Sequence, residues 1–147
     1  MSNRFIGWIL AIAVAAAAPL PSPKAATHVM PQSDSEALQY HDIVMLLLLP
    51  QIDKAVGAQY ASTLKEPPIV YPYYIDVTHL ERVNGFRGFQ FRITIEVYPV
   101  VGPHLTVGKD RLEFEIAPDM ANGTAKLLDF KHLETHELPS HWQHVLK

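Results

Sequence analysis

Cysteine is absent from the 147 residues, and that single lack removes several classes. A thiol nucleophile, a cysteine-ligated metal centre, a disulfide-stapled fold and a lipid anchor on an N-terminal cysteine are all excluded. Positive charge is also short. Lys and Arg number 12 against 15 Asp and Glu, for a formal net charge of -3. No basic field is available to hold a phosphate backbone, and neither DNA nor RNA is an expected partner. The chain carries no serine-nucleophile motif, no phosphate-binding glycine loop and no paired-histidine metalloprotease helix. Its longest apolar run, Phe5 to Ala18, is too short to span a bilayer comfortably.

That run is informative in another way. Arg4 precedes it and small residues and prolines follow, which is the layout of a secretory leader. A leader over residues 1–26 is expected, cut after Ala17 or near Ala25 or Ala26, with an uncleaved membrane anchor as the alternative. Membrane contact is expected only through this segment. A linker over 27–33, one domain over 34–134 and a histidine-rich tail over 135–147 complete the division. A hydrophobic content of 48% suffices for one core without disulfides.

Within the domain, Ser33-Asp34-Ser35-Glu36 has the spacing of a capping box, a hydroxyl followed three residues on by Glu. Leu38, Met45, Leu49, Ile52, Val56 and Tyr60 then recur at helical spacing on both sides of Pro50. One long helix to about Leu64, bent at Pro50, is predicted, with two helices meeting there as the runner-up. The run Met45 to Leu49 is apolar all round, more than a helix lying on one sheet requires. It is either a central turn covered by the linker or tail, or a partner-binding patch.

Strand patterns follow. Phe89, Phe91, Ile93, Ile95 and Val97 alternate with Gln90, Arg92, Thr94, Glu96 and Tyr98, the signature of a half-buried strand. A two-residue Asn84-Gly85 hairpin would put Asp76 opposite Ile93 on the buried side. One extra residue repairs the parity, and Gly88 is the expected place. Val77 would then face Ile93, Ile75 would face Ile95, and His79 and Glu81 would lie at the rim of the apolar side, opposite Phe91 and Phe89. The same argument pairs Val101 with Leu105 around Gly102-Pro103 and calls for a second bulge at Gly108. That bulge sets Ile95 beside Leu112 and Ile93 beside Phe114. A reversal over 118–123 leads to a fourth strand from Thr124 to His132 with Leu128 and Phe130 inward. Ser140 is placed to cap a last turn holding Trp142 and Leu146, and the rest of the tail is expected to be loose.

One helix followed by four sequential antiparallel strands predicts an α+β fold, a meander sheet wrapped on the helix, in the manner of cystatin-like or nuclear-transport-factor-like domains. The stretches MLLLLP (45–50), IDVTHLERVNGFRGFQF (75–91) and VGPHLTVGKDRLEFEI (101–116) resemble the short exported proteins of spore-forming Gram-positive bacteria grouped as domain of unknown function 3888. The resemblance covers roughly Glu36 to Leu133. It implies export and one compact domain, and carries over no activity and no site residue.

Chemistry-bearing residues gather in three places. Asp76, Thr78, His79, Glu81, Arg82, Asn84 and Arg87 crowd the first hairpin, and His104, Lys109, Asp110 and Arg111 the second connection. Were both loops to close over one end of the sheet, His79, Glu81, Arg82, His104 and Asp110 would offer an acid/base pair with cations for an anionic ligand. The plainer reading makes them turn formers and a solvated face. His132, His136, His141 and His144, interspersed with Glu134 and Glu137, are weak metal candidates whose spacing matches no closed tetrahedral site. Leu46 to Leu49, with Tyr71, Tyr73, Tyr74 and Phe86, suit docking to a protein, peptide or envelope surface. No cofactor is implied. The expected role is that of an exported, non-enzymatic binding module, with a small ligand-binding or enzyme domain whose pocket between helix and sheet uses His79, Glu81 and Arg82 as the alternative.

Overall fold

The computed structural model describes residues 33–118 and 125–147. The expected leader, nearly all of the linker, the reversal at 119–123 and Thr124 lie outside these residues. Helix α1 spans Glu36–Tyr60. Its cap is Ser35, whose Oγ accepts the Leu38 N–H at 3.1 Å. The capping box expected between Ser33 and Glu36 is thus not formed: Glu36 is the first helical residue and instead accepts the Tyr40 hydroxyl at 2.8 Å. A Ser35→Ala variant should lose about 1 kcal/mol in a urea titration, the usual cost of an orphaned N-terminal donor. The helix runs unbroken through Pro50. Pro50 and Leu46 are both exposed, so the hydrogen bond that Pro50 cannot make falls on the outward side of the helix.

Met45, Leu48, Ile52, Val56 and Tyr60 form the buried stripe of α1, with Leu49 only partly covered. This stripe packs on a four-stranded antiparallel sheet of order β1-β2-β5-β6, made of β1 (Ile75–Arg82), β2 (Phe91–Val97), β5 (Gly108–Ile116) and β6 (Lys126–Thr135). Between β2 and β5 lies a short hairpin of β3 (Val100–Val101) and β4 (Leu105–Thr106). The α+β meander is therefore the fold. Ile93, Ile95, Leu112 and Phe114 join Ile52 and Val56 in the core.

The β2–β5 register is the expected one, with Ile95 opposite Leu112 and Ile93 opposite Phe114. Val101 pairs with Leu105. Two residues separate Val97 from Val100, and three separate Thr106 from Asp110. The additional residue falls at Gly108, as the parity required.

The first hairpin differs. Ile75 pairs with Val97 and Val77 with Ile95, while His79 pairs with Thr94 and Leu80 with Ile93. The bulge sits in β1 at Thr78, not at Gly88, and the Thr78 hydroxyl donates to the Thr94 carbonyl at 3.2 Å. In place of a two-residue turn, residues 84–89 form a wider loop closed by the Val83 N–H on the Gln90 carbonyl at 2.9 Å. Gly85 and Arg87 are left-handed there, at φ 71° and 64°. Either solution inserts one residue and restores Val77 to the apolar face. Only the observed one turns His79 and Glu81 to the outer face.

Strand β6 carries its own bulges. Glu113 pairs with Asp129 and Phe114 with Leu127, so Leu128 is the extra residue; it is exposed rather than inward. Phe130 opposes Leu112 and packs against the core as expected. A second extra residue is Leu133, between His132 and Glu134.

Nor is the tail loose. Its backbone joins two parts of the fold: the His136 N–H bonds to the Val107 carbonyl at 3.0 Å, the Lys65 N–H to the Val145 carbonyl at 3.0 Å and the Lys147 N–H to the Thr63 carbonyl at 3.0 Å. Leu138 is buried, and a 3₁₀ turn spans Ser140–Val145 without a side-chain cap from Ser140. Trp142 lies directly on Gly102, where any side chain would overlap the indole.

Candidate functional site

The clearest concentration of chemistry lies under the C-terminal end of α1. The Gly108 bulge brings Asp110 onto the inner face of the sheet opposite Val97 and His132, where it is fully buried. A carboxylate so placed must be paired. Asp110 Oδ1 lies 2.6 Å from His132 Nδ1. His132 Nε2 in turn lies 2.7 Å from Thr135 Oγ1, on the same strand across the Leu133 bulge. The Tyr60 hydroxyl is buried beside the carboxylate, and neither it nor Asp110 Oδ2 closes a hydrogen bond of normal geometry. Burial raises the Asp110 pKa above the ordinary aspartate range, and the neighbouring His132 and Tyr60 pull it back only in part. Burial, reinforced by the Asp110 charge, pushes the Tyr60 hydroxyl up strongly.

This row of side chains opens on a cleft of about 570 Å³ lined by Gln59, Tyr60, Val107, His132, Thr135 and Gln143 among others, within the size range of small-molecule sites. A second cleft of about 380 Å³ is lined by Leu64, Pro67, Ile69, Val101 and Trp142 together with Lys65, Glu66 and His144, but the Lys65 ammonium is already bonded to the His144 carbonyl at 2.6 Å and, among the described residues, no buried carboxylate adjoins it.

The other expected site residues are distributed elsewhere. His79 and Glu81 stand on the outer face, Nε2 to Oε2 3.7 Å, and Glu81 Oε1 accepts from Arg92 Nη1 at 3.2 Å. Arg92 also meets Glu113 at 3.1 Å. Arg82 lies over the Phe91 ring at 4.4 Å and donates to the Gly88 carbonyl. His79 and Glu81 therefore do not join Asp110, which is on the opposite face. His104, left-handed at φ 65°, packs against Tyr71, with ring centres 4.8 Å apart, and near Tyr73.

Of the metal candidates, His132 is engaged by Asp110 and Thr135, and His136 by Thr106 Oγ1 at 2.9 Å and Glu134 at 3.3 Å. His141 and His144 flank Trp142. Among the described residues no three His, Asp or Glu side chains converge as a metal site would require.

On the outer face lies one more ionic cluster. Glu96 is buried at the junction of Lys109 Nζ, 2.7 Å away, and Arg111 Nη2, 2.6 Å away. Burial alone would raise the Glu96 pKa, but the hydrogen bonds and charges of Lys109 and Arg111 prevail and hold it below the ordinary glutamate range.

Two members of this row, Thr135 and Tyr60, are not among the site residues expected from the sequence, and the Asp110–His132 contact joins two separate expectations. A signal for that link existed. Asp110 has the parity of Leu112 and Phe114, and His132 has that of Phe130, so a charged and a titratable residue both sit in inward registers of adjacent strands.

No curated protein and no solved structure matches the chain. A family model does, over residues 40–134, from the second turn of α1 to the end of β6 but one residue short of Thr135. Since that match spans more than half of the sequence, the chain belongs to the family described as protein of unknown function (DUF3888).

Proposed function

We propose that the protein is an exported binding module that docks a polypeptide partner through the first half of α1. The observation that carries this reading is the contrast between the two halves of the helix. Tyr40, Ile43, Leu46 and Leu47 are 61%, 53%, 56% and 73% exposed, whereas the outward residues of the second half are Pro50, Asp53, Lys54, Ala58 and Gln59. A helix needs only one apolar stripe to hold it on a sheet, and α1 already has that stripe in Met45, Leu48, Ile52 and Val56. Leucines left over at adjacent exposed positions favour a partner surface that presents apolar side chains. Phe86 at 96% and Phe89 at 63%, on the first hairpin, suit the same kind of contact.

Export is supported by the leader-like layout of the first residues, Arg4 before an apolar run and prolines after it. Among the described residues no helix is long and apolar enough to cross a membrane.

The docking reading is tested with a Leu46→Glu/Leu47→Glu double variant. Both positions are exposed, so its thermal midpoint should stay near that of the parent, within the small range typical of surface changes. Proteins from the cell envelope or culture medium retained on the immobilised parent should be lost from the variant. Identical retention by both would refute the surface assignment, and failure of the parent to retain any would refute docking. N-terminal sequencing of protein recovered from the medium should begin near Ala18 or Thr27; recovery of the intact chain only from inside cells would refute export.

A further inference from the structure

We propose that Asp110, His132 and Thr135 form a proton relay that makes the Thr135 hydroxyl a nucleophile toward small activated acyl esters held in the adjoining cleft. Tyr60, buried beside Asp110, lies about 20 Å along α1 from Leu47, and this inference goes beyond the docking role.

The geometry runs in one direction. An ionised carboxylate only accepts hydrogen bonds, so with Asp110 charged the 2.6 Å contact places the imidazole proton on Nδ1. Nε2 then presents its lone pair to Thr135 Oγ1 at 2.7 Å, and the hydroxyl donates. A buried carboxylate, an oriented imidazole and a hydroxyl within proton-transfer distance are the working parts of nucleophilic acyl transfer, whatever the fold or chain order. A pair serving only to neutralise Asp110 would need no hydroxyl on the far nitrogen. Here Thr135 is exposed and lines the cleft with His132. Val107, Leu138 and Leu146 give the cleft apolar wall for an acyl group, and Gln59 supplies a carboxamide able to donate to a carbonyl oxygen, while Gln143 Nε2 is held by the Leu138 carbonyl at 2.8 Å.

The chemistry balances without a cofactor. Thr135 Oγ bonds to the acyl carbon as its proton passes to His132 Nε2. The carbon–oxygen bond to the leaving alcohol then breaks, and the alcohol carries that proton away. Water then gives a proton to the same nitrogen and bonds to the acyl carbon; the carbon–Oγ bond breaks, the acyl group leaves as its carboxylic acid and the proton on Nε2 returns to Thr135 Oγ.

The full chain is exposed briefly to p-nitrophenyl acetate, with nitrophenol release followed by absorbance and the acetylated residue located by peptide mass mapping. The expected result is acetyl on Thr135 and release at least ~100-fold slower in His132→Gln, the scale of a lost general base. Thr135→Val keeps the shape but lacks the hydroxyl and should abolish the adduct, whereas Thr135→Ser should retain it. Should His132→Gln fail to fold, the Thr135 pair decides alone, since that side chain is exposed. Acetyl found only on lysine or histidine, or release unchanged in Thr135→Val, overturns the proposal.

Discussion

Gly108→Ala is expected to cost about 3 kcal/mol, the upper part of the range for forcing atoms into a filled interior. The added methyl would overlap the Tyr60 hydroxyl and stand 2.5 Å from the backbone carbonyl oxygen of Glu134. The first obstacle is a side chain buried beside Asp110 and the second belongs to the partner strand, so neither can yield without disturbing the sheet or the helix. Gly108 also opens the bulge that brings Asp110, Leu112 and Phe114 inward. A urea titration should therefore show a lower midpoint for Gly108→Ala, with Gly85→Ala as a contrast, because no atom lies within 4 Å of a methyl at Gly85 and only its left-handed backbone, φ 71°, opposes the change. Equal midpoints for parent and Gly108→Ala would show that the close packing at the bulge is dispensable.

Glu96→Gln should cost a similar amount, about 3 kcal/mol, the low end for removing one partner of a buried ion pair. Arg111, nearly half exposed, can turn to water, but the Lys109 side chain is only 10% exposed and its ammonium loses the anion at 2.7 Å. Nearby is the Tyr98 ring, 5.4 Å from Lys109 Nζ, too weak a substitute for a carboxylate.

These two buried carboxyls also make opposite contributions to acid stability. The folded pKa of Glu96 is depressed, so its stabilisation is complete above the unfolded value of about 4.3 and is lost as pH falls through the lower folded value. For Asp110 the folded pKa is raised. Its ionised form penalises the native state, and the penalty is relieved as pH falls through the raised value toward the unfolded one near 3.9. Denaturation midpoints measured from pH 7 downward should accordingly fall less steeply in Glu96→Gln than in the parent, and more steeply in Asp110→Asn. Parallel curves for all three proteins would contradict both assignments.

Helix phase, strand alternation and the need for an odd number of inserted residues in each hairpin were legible from the chain, because they depend on local periods of 3.6 and 2 that burial then selects. So were the β2–β5 register and the Gly108 bulge, where Leu112 and Phe114 on one side and Ile93 and Ile95 on the other leave one solution. Where the parity of the first hairpin is restored was not legible. Thr78 and Gly88 satisfy the same count, and the choice rests on how β1 lies along β2 and how the loop over 84–89 closes. The position of His79 and Glu81 followed from that choice.

Sequence by itself determined the element order, the inward side of β2 and β5 and most of the stripe of α1, since each is a pattern between near neighbours. That stripe was legible at Met45, Ile52, Val56 and Tyr60 but not at Leu48, which is buried where Leu49 was expected. Tertiary structure decided the bulges at Thr78, Leu128 and Leu133, the docking of residues 136–147 onto the end of α1, and the meeting of Asp110 with His132 and Thr135. Those outcomes depend on contacts between segments far apart along the chain, whose free energy exists only once the sheet, the helix and the tail are packed together.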